Sequence, residues 1–523
     1  MPTTFMEPVL HLVTFGLNAQ GHVEECTTRY GRLRGQCRAW LAGVFLLLAG
    51  ALGAAPARPN ILLVLSDDHS APHLGCYGSP NAITPHLDAL AAQGMRFTRA
   101  YTTSPQCAPS RASIFAGRSP VALGVTRFTQ PPGREHPFFT DVLRQYGYWS
   151  GLDGRNHHLA GRVRELDHET AALEAAGLKY LDERFDRVKI TGTSGATPDD
   201  VTRSVTASFR RAFDAIPPDR PFFLYFGFNQ PHRGYKRQPE GMTLFDPAKL
   251  VLPPDFPDLP EVRADYTDYL YTVYLLDRGF GVLMSELERR RLARNTIVVF
   301  MGDNGEALLR GKGTLYERGN HVPLIVRWPG VVQPASQSDV LVSGEDLATT
   351  LLEAVGLPVP SPLTGISFLP ALQGRPFEGR DYVFTERGWH GSGPITRTDS
   401  LDLSRAVTSR RYRFIFNVLP DRPYVPVDMV GADAWPALLQ AHAENRLSPL
   451  HERLLFQKPR PIHELYDLQN DPYELENLAG REGMKEIEMK LRIALATWMV
   501  READFLPMPS RDYPDENWRL KSH

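Results

Sequence analysis

Asn60-Ile-Leu-Leu-Val-Leu65 is an unbroken apolar run, the pattern of a strand buried on both faces. Pro85 to Gly94 has helical periodicity and closes on a glycine stop. Tyr148–Leu152, Phe222–Phe228 and Thr296–Met301 are further short apolar runs that predict strands. Long helical stretches lie between them, notably Tyr266 to Arg291. Strands alternating with helices predict an α/β fold with a large, mostly parallel sheet. No internal repeat or low-complexity tract interrupts the pattern. The loops are rich in proline: Leu252 to Pro260 holds four and Pro358 to Pro362 holds three.

Near residue 375 the pattern changes. Arg405 to Asn417 reads as a hairpin, followed by a long irregular stretch. Glu464 to Leu478 then precedes a final amphipathic helix. The expected division is 59–375 for a catalytic domain and 376–523 for a smaller C-terminal subdomain. Ahead of both, Trp40 to Gly53 is apolar, with Arg32, Arg34 and Arg38 before it and Ala55-Pro56-Ala57 after it. A basic flank, a short apolar core and an A-x-A site predict a secretory signal peptide. The run is shorter than the ~20 residues of a membrane-spanning helix. Residues 1–58 are therefore expected to be a leader and signal peptide, cut by signal peptidase, in a secreted or periplasmic protein; the alternative is an uncleaved membrane anchor. A signal peptide starts near its basic region, so translation is expected to begin downstream of Met1.

The composition is ordinary for a globular chain, with 42% hydrophobic and 23% charged residues and a net charge of −2. No basic run suggests nucleic acid. An anionic substrate would have to meet a local cluster of cations. Of the four cysteines, Cys26 and Cys37 precede the apolar run, which leaves Cys76 and Cys107 and no disulfide framework.

Four predicted strands end in reactive residues: Ser66-Asp67-Asp68-His69, Gly154-Arg155-Asn156-His157-His158, Asn229-Gln230-Pro231-His232 and Gly302-Asp303-Asn304-Gly305. In open α/β sheets ligands gather at the carboxyl ends of strands, so these segments point to one site. Asp67, Asp68, Asp303 and Asn304 offer only oxygen, which selects Ca²⁺ or Mg²⁺ over zinc. Taken singly, the Asp pair could cap a helix and Asp303-Asn304-Gly305 could be a turn. Ser110 to Ala116 lacks Gly and Pro, so the segment at Cys107 should open a helix whose N–H groups face an anion. Cys107 alone could equally be a buried structural thiol.

Cys107-Ala-Pro-Ser-Arg111, followed by Gly117-Arg118, resembles the signature of the type I sulfatases. In that family a maturation enzyme oxidises the cysteine to formylglycine, whose hydrate attacks sulfur. The resemblance implies an alkaline-phosphatase-like sandwich with a small antiparallel C-terminal sheet, to which Glu464–Leu478 is similar. It implies that Asp67, Asp68, Asp303, Asn304 and the modified Cys107 bind the metal, calcium being the family's usual ion. It implies that Arg111 reaches back to the hydrate or the metal ligands, and that His232 serves the leaving group. Lys312, in Gly-Lys-Gly-Thr-Leu-Tyr-Glu317, matches the sulfate-binding lysine. A further histidine stands in the family's Gly-Lys-x-His-Leu-Gly segment. Here the segment reads Gly154-Arg155-Asn156-His157-His158-Leu159-Ala160-Gly161, with arginine for lysine and one extra residue. His158 fits the His-Leu register, His157 fits the spacing, and Arg155 can act only as an electrostatic clamp. His321 replaces a common arginine and is read as local packing. His390 is a candidate substrate contact, and His73, close after the Asp pair, is a further candidate.

Within the family, Pro221-Phe-Phe-Leu-Tyr-Phe226, Pro231-His-Arg233, Val251–Pro257, Arg263-Ala-Asp265 and Gly302–Gly305 look closest to the heparan N-sulfatase branch. That resemblance implies cleavage of an S–N bond on glucosamine within a sulfated glycan. The alternatives are an O-sulfatase on another glycan, a phosphoester or phosphonate hydrolase of the same superfamily, and a non-catalytic glycan-binding protein. A two-metal phosphatase would need additional Asp and His ligands, and no spare Asp-x-x-x-His cluster supplies them.

Overall fold

The structure, a computed structural model, describes residues 58–126, 132–133, 135–155, 184–190, 195–390 and 401–504. The first apolar run forms β1 (Asn60–Ser66), every residue of which is buried. It lies between β6 (Phe222–Gly227) and β7 (Thr296–Gly302), parallel to both. Its odd and even side chains enter two different apolar clusters, Ile61, Leu63 and Leu65 in one and Leu62 and Val64 in the other. A strand that must satisfy two apolar layers has no polar face, which is why it reads as an unbroken run.

The eight-stranded sheet has the order β5-β4-β6-β1-β7-β8-β2-β9. Its remaining strands are β2 (Met95–Phe97), β4 (Trp149–Gly154), β5 (Arg187–Ile190), β8 (Leu324–Arg327) and β9 (Ser336–Ser338). Five neighbours run parallel, from β5 to β7; β8 is antiparallel to both β7 and β2. A separate two-strand ladder pairs β3 (Ala100–Tyr101) with β10 (Val342–Ser343). Helices cover both faces. Phe209 of helix Pro198–Asp214 and Leu276 of helix Pro260–Arg289 pack on one, and Phe115 of helix Cys107–Ala116 and Leu351 of helix Asp346–Ala354 on the other.

Helix Pro260–Arg289 begins six residues before its predicted start at Tyr266. Pro260 takes the first helical position, where its missing N–H costs nothing, and Glu261 follows in the first turn. The proline-rich stretch before it is a loop that ends in a helix start.

Strands β11 (Val383–Trp389), β12 (Leu401–Thr408), β13 (Tyr412–Asn417) and β14 (His463–Asp467) form an antiparallel sheet of their own. The predicted hairpin is β12–β13. On one face Val407, Phe414 and Leu465 pack against Leu491, Leu495 and Trp498 of helix Lys485–Arg501. On the other, Ala406, Ile415 and Tyr466 meet Leu315, which follows the predicted sulfate-binding lysine by three positions. This packing holds the C-terminal sheet against a loop of the candidate site.

Candidate active site

Ser66 at the end of β1 pairs in register with Gly302 at the end of β7. The next residues of each strand, Asp67-Asp68 and Asp303-Asn304, therefore emerge side by side. Asp68 takes a left-handed φ of 63°, a conformation aspartate tolerates better than most residues. Its N–H donates to Asp303 Oδ1 (3.0 Å), which also accepts from the Asn304 N–H (2.7 Å). Gly305 follows because nothing larger fits: a Cβ there would lie 1.7 Å from the Arg318 carbonyl oxygen.

Cys107 is the first residue of a buried helix that runs to Ala116 and stops at Gly117, with φ 61°. Its Sγ lies 3.3 Å from Asp67 Oδ1 and 3.6 Å from Asp68 Oδ1. Ligand atoms of Asp67, Asp68, Cys107 and Asp303 fall within 4.8 Å of one another, all fully buried. Burial, then the charge of Asp67, pushes the Cys107 thiol well above its ordinary range, with Lys312 opposing. Burial also pushes the Asp303 carboxyl up to about 7, with Arg111 pulling the other way.

Three cationic side chains answer this acidic cup. Arg111 has no exposed side-chain surface; its Nε and Nη2 each lie 2.8 Å from Asp303 Oδ2, and Nη2 is 3.2 Å from Asp67 Oδ2. Nη1 of Arg111 donates to the Arg155 carbonyl (3.0 Å) and the Tyr225 hydroxyl. Arg155, just past β4, places Nε 2.6 Å from Asp67 Oδ2. Lys312 Nζ sits between Asp68 Oδ1 (2.9 Å) and Asp428 Oδ2 (2.6 Å).

The donor set suits a hard divalent cation. Asn304 gives the most direct sign. Its Nδ2 donates to Asp68 Oδ1 and the Gly305 carbonyl (2.9 Å each), while its buried Oδ1 accepts no hydrogen bond among the described residues. An oxygen left over inside an acidic cup fits a metal ligand.

His232 follows β6. Its Nδ1 is 2.9 Å from the Arg233 carbonyl, and its Nε2 is 3.7 Å from Asp68 Oδ2. His390 is buried rather than on the surface, with Nε2 3.2 Å from Asp428 Oδ1. Burial lowers its pKa against the pull of Asp428. His157 and His158 lie outside the described residues. His73 stands behind the cup, 3.4 Å from Glu306 Oε1 and edge-on to Tyr269. His321 bonds Glu317 at 3.2 Å and packs on Tyr101, a packing role. Cys76 and Cys107 are both free.

The sequence reading missed Asp428. It comes from the irregular stretch after β13, has a left-handed φ of 62°, and links Lys312 to His390. Burial works against its charge, but Lys312 and His390 hold its carboxyl far below the usual range. No periodicity marks the segment, and an Asp in a loop is too common to single out.

Acidic and cationic groups thus converge at the carboxyl edge of a parallel sheet, where open α/β folds bind their ligands. The sulfatase family model matches residues 59–357, and the model described as N-sulphoglucosamine sulphohydrolase, C-terminal, matches residues 305–416. The chain belongs to the sulfatase family and is a sulfuric ester hydrolase. It is 29% identical to the human N-sulphoglucosamine sulphohydrolase over 485 residues, covering 86% of this chain and 91% of that one. It is 30% identical to human arylsulfatase A over 484 residues, covering 83% and 86%. A protein solved in complex with its substrate D-glucosamine-2-N,6-O-disulfate shares the fold, with a TM-score of 0.63 and 18% identity over 88% of this chain and all of that one. The phosphonate monoester hydrolase of Agrobacterium radiobacter does so with a TM-score of 0.66 and 18% identity over 85% and 96%.

Proposed function

We propose that this sulfatase removes sulfate from sulfated sugars through a formylglycine made from Cys107, with N-sulfoglucosamine units of heparan-type glycans as its substrate. The placement of Cys107 carries the reading: a thiol at the first position of a buried helix, beside three carboxylates. Similarity to the human N-sulphoglucosamine sulphohydrolase, and the C-terminal model of that name, support the sugar and the S–N bond.

In this reading Asp67, Asp68, Asp303, Asn304 and the modified Cys107 would hold Ca²⁺ or Mg²⁺, which would supply stabilisation of negative charge on sulfate oxygens. Formylglycine at position 107 would supply, as its hydrate, the oxygen nucleophile toward sulfur. Arg155 and Lys312 orient the sulfate, and Arg111 fixes the carboxylates that face it. His232 gives a proton to the departing nitrogen or oxygen. His158, with His157 the other candidate, takes the proton from the second hydroxyl, so that sulfate leaves and the aldehyde returns. His390 contacts the sugar. A formylglycine-generating enzyme matures the chain, and signal peptidase releases it to the periplasm or exterior. Among the described residues, no helix is long and apolar enough to cross a membrane.

The deciding experiment is sulfate release by enzyme co-expressed with a formylglycine-generating enzyme, on N-sulfated and on 6-O-sulfated glucosamine. Release from the N-sulfated sugar is expected. Release from the O-sulfated sugar alone would keep the mechanism and discard the S–N assignment. His232→Ala should lower kcat on the sugar substrate by about 100- to 10,000-fold, the usual contribution of a positioned proton donor. The loss should be much smaller on an activated aryl sulfate, whose leaving group needs no proton. Equal losses on both would remove His232 from that role.

A further inference from the structure

The chain from 228 to 240, which carries His232, forms neither helix nor strand, so its hold on the ring comes from specific bonds. The His232 N–H donates to the Asn229 carbonyl (2.9 Å) and closes a turn. The His232 side chain is 22% exposed, so packing constrains the ring only in part. Its Nδ1 lies 2.9 Å from the Arg233 carbonyl oxygen. A carbonyl only accepts, so Nδ1 carries the hydrogen, and Nε2 is left facing Asp68 and the cup. The position of the Arg233 carbonyl therefore decides where Nε2 points.

Arg233 is itself tied down by its side chain. Its Nη1 and Nη2 donate to the two carboxylate oxygens of Asp265, on helix Pro260–Arg289, at 2.8 Å each. Its Nε donates to the Ala307 carbonyl at 3.2 Å, and Nη2 reaches the same oxygen. The guanidinium carbon lies 4.4 Å over the Tyr235 ring, and the Tyr235 hydroxyl also donates to Ala307, at 3.1 Å. Ala307 follows the proposed metal ligand Asn304 by three positions. One fork thus joins the His232 segment, the long helix and the loop after β7. The Arg233 and Asp265 side chains are only 14% and 12% exposed, so the pair is not a loose surface contact. A bidentate fork of this kind fixes direction as well as charge.

Four of the five N–H groups of the Arg233 guanidinium are spent on these protein acceptors. That leaves little of it to bind sulfate, in contrast to the role given to Arg155 and Lys312. We propose that Arg233, locked by Asp265, is a positioning residue that holds the His232 ring with Nε2 toward the leaving group. This rests on the role proposed above for His232.

Arg233→Met strands the Asp265 carboxylate and could unfold the chain. Arg233→Met/Asp265→Leu removes both charges, so it is measured beside the single variant, with thermal unfolding of each. On whichever sugar sulfate the matured wild-type enzyme cleaves, kcat should fall about 100-fold, the scale of a roughly 1 Å misplacement. KM should barely move, because the substrate keeps its own contacts. On an activated aryl sulfate the loss should be much smaller, as for His232→Ala. In a His232→Ala background the same substitutions should cost almost nothing further, since no ring is left to position. An undiminished loss in that background, or equal losses on both substrates, would make the fork a brace for the loop of Asp303 and Asn304 and overturn the proposal. A raised KM with kcat unchanged would make Arg233 a substrate contact and overturn it too. If His232→Ala alone costs nothing, the leaving-group role and this inference fall together. If His232→Ala shows its full loss while the fork's effect simply adds to it, this inference falls alone.

Discussion

Cys107→Ala is expected to lower sulfate release by about 10⁴- to 10⁶-fold, the scale seen when one member of a cooperating catalytic set is removed. Folding should barely register the change, at about 1 kcal/mol, the centre of the range for point substitutions. The side chain is small, and the carboxylates beside it are already met by cations: Asp67 by Arg111 and Arg155, Asp68 by Lys312. Calorimetric unfolding together with sulfate release checks both halves. Cys107→Ser removes the sulfur and keeps a hydroxyl. It should be equally inactive unless the host's maturation enzyme also oxidises serine. A fully active Cys107→Ala protein would remove the proposed nucleophile. An inactive but poorly folded one would make Cys107 a structural thiol, the reading its burial alone would favour.

The sheet was legible where burial on both faces leaves an unmistakable trace. β1, β6 and β7 are apolar runs because each must satisfy two packed layers. β2, β8 and β9 are short, and β9, Ser336-Gln337-Ser338, has no apolar residue at all. β2 and β9 are held by the ladder rather than by composition, and the apolar run of β8, Leu324-Ile-Val326, is too short to stand out. Helix Pro260–Arg289 was read short because proline marks loops and helix starts alike; only the capping context separates the two.

Most of the site could be read because parallel neighbours in register bring their carboxyl ends together. Once β1 and β7 are adjacent, Asp67-Asp68 and Asp303-Asn304 have to be neighbours. Arg111 could be placed because it is one helical turn from Cys107, and the structure sets it on Asp303 and Asp67. Lys312 was visible only through family resemblance, since it lies in a loop without periodicity. Asp428 had neither signal. It reaches the site because the preceding residue, Val427, packs against Gly313 beside Lys312, a tertiary contact that no local pattern encodes.

That hidden residue sets up the second large effect. Lys312 Nζ is buried between Asp68 and Asp428, and burial alone would lower its pKa. The two carboxylates more than reverse this, so the ammonium stays charged. Lys312→Met would leave both carboxylates facing an apolar chain. Breaking a buried ion pair from one side costs about 3–5 kcal/mol, and denaturant unfolding should show a loss of that size. Activity should fall by about 100- to 1,000-fold, the range for removing a group that stabilises transition-state charge. One substitution cannot separate these effects, but the double variant Lys312→Met/Asp428→Asn can. Neutralising Asp428 removes one stranded charge and should restore part of the lost stability, within the roughly 0.5–3 kcal/mol by which contacting residues couple. Sulfate release should stay low, because no cation then meets the sulfate from that side. If the double variant recovers activity along with stability, Lys312 serves only to neutralise Asp428. The clamp would then reduce to Arg155, and the sulfate-binding role of Lys312 would fall.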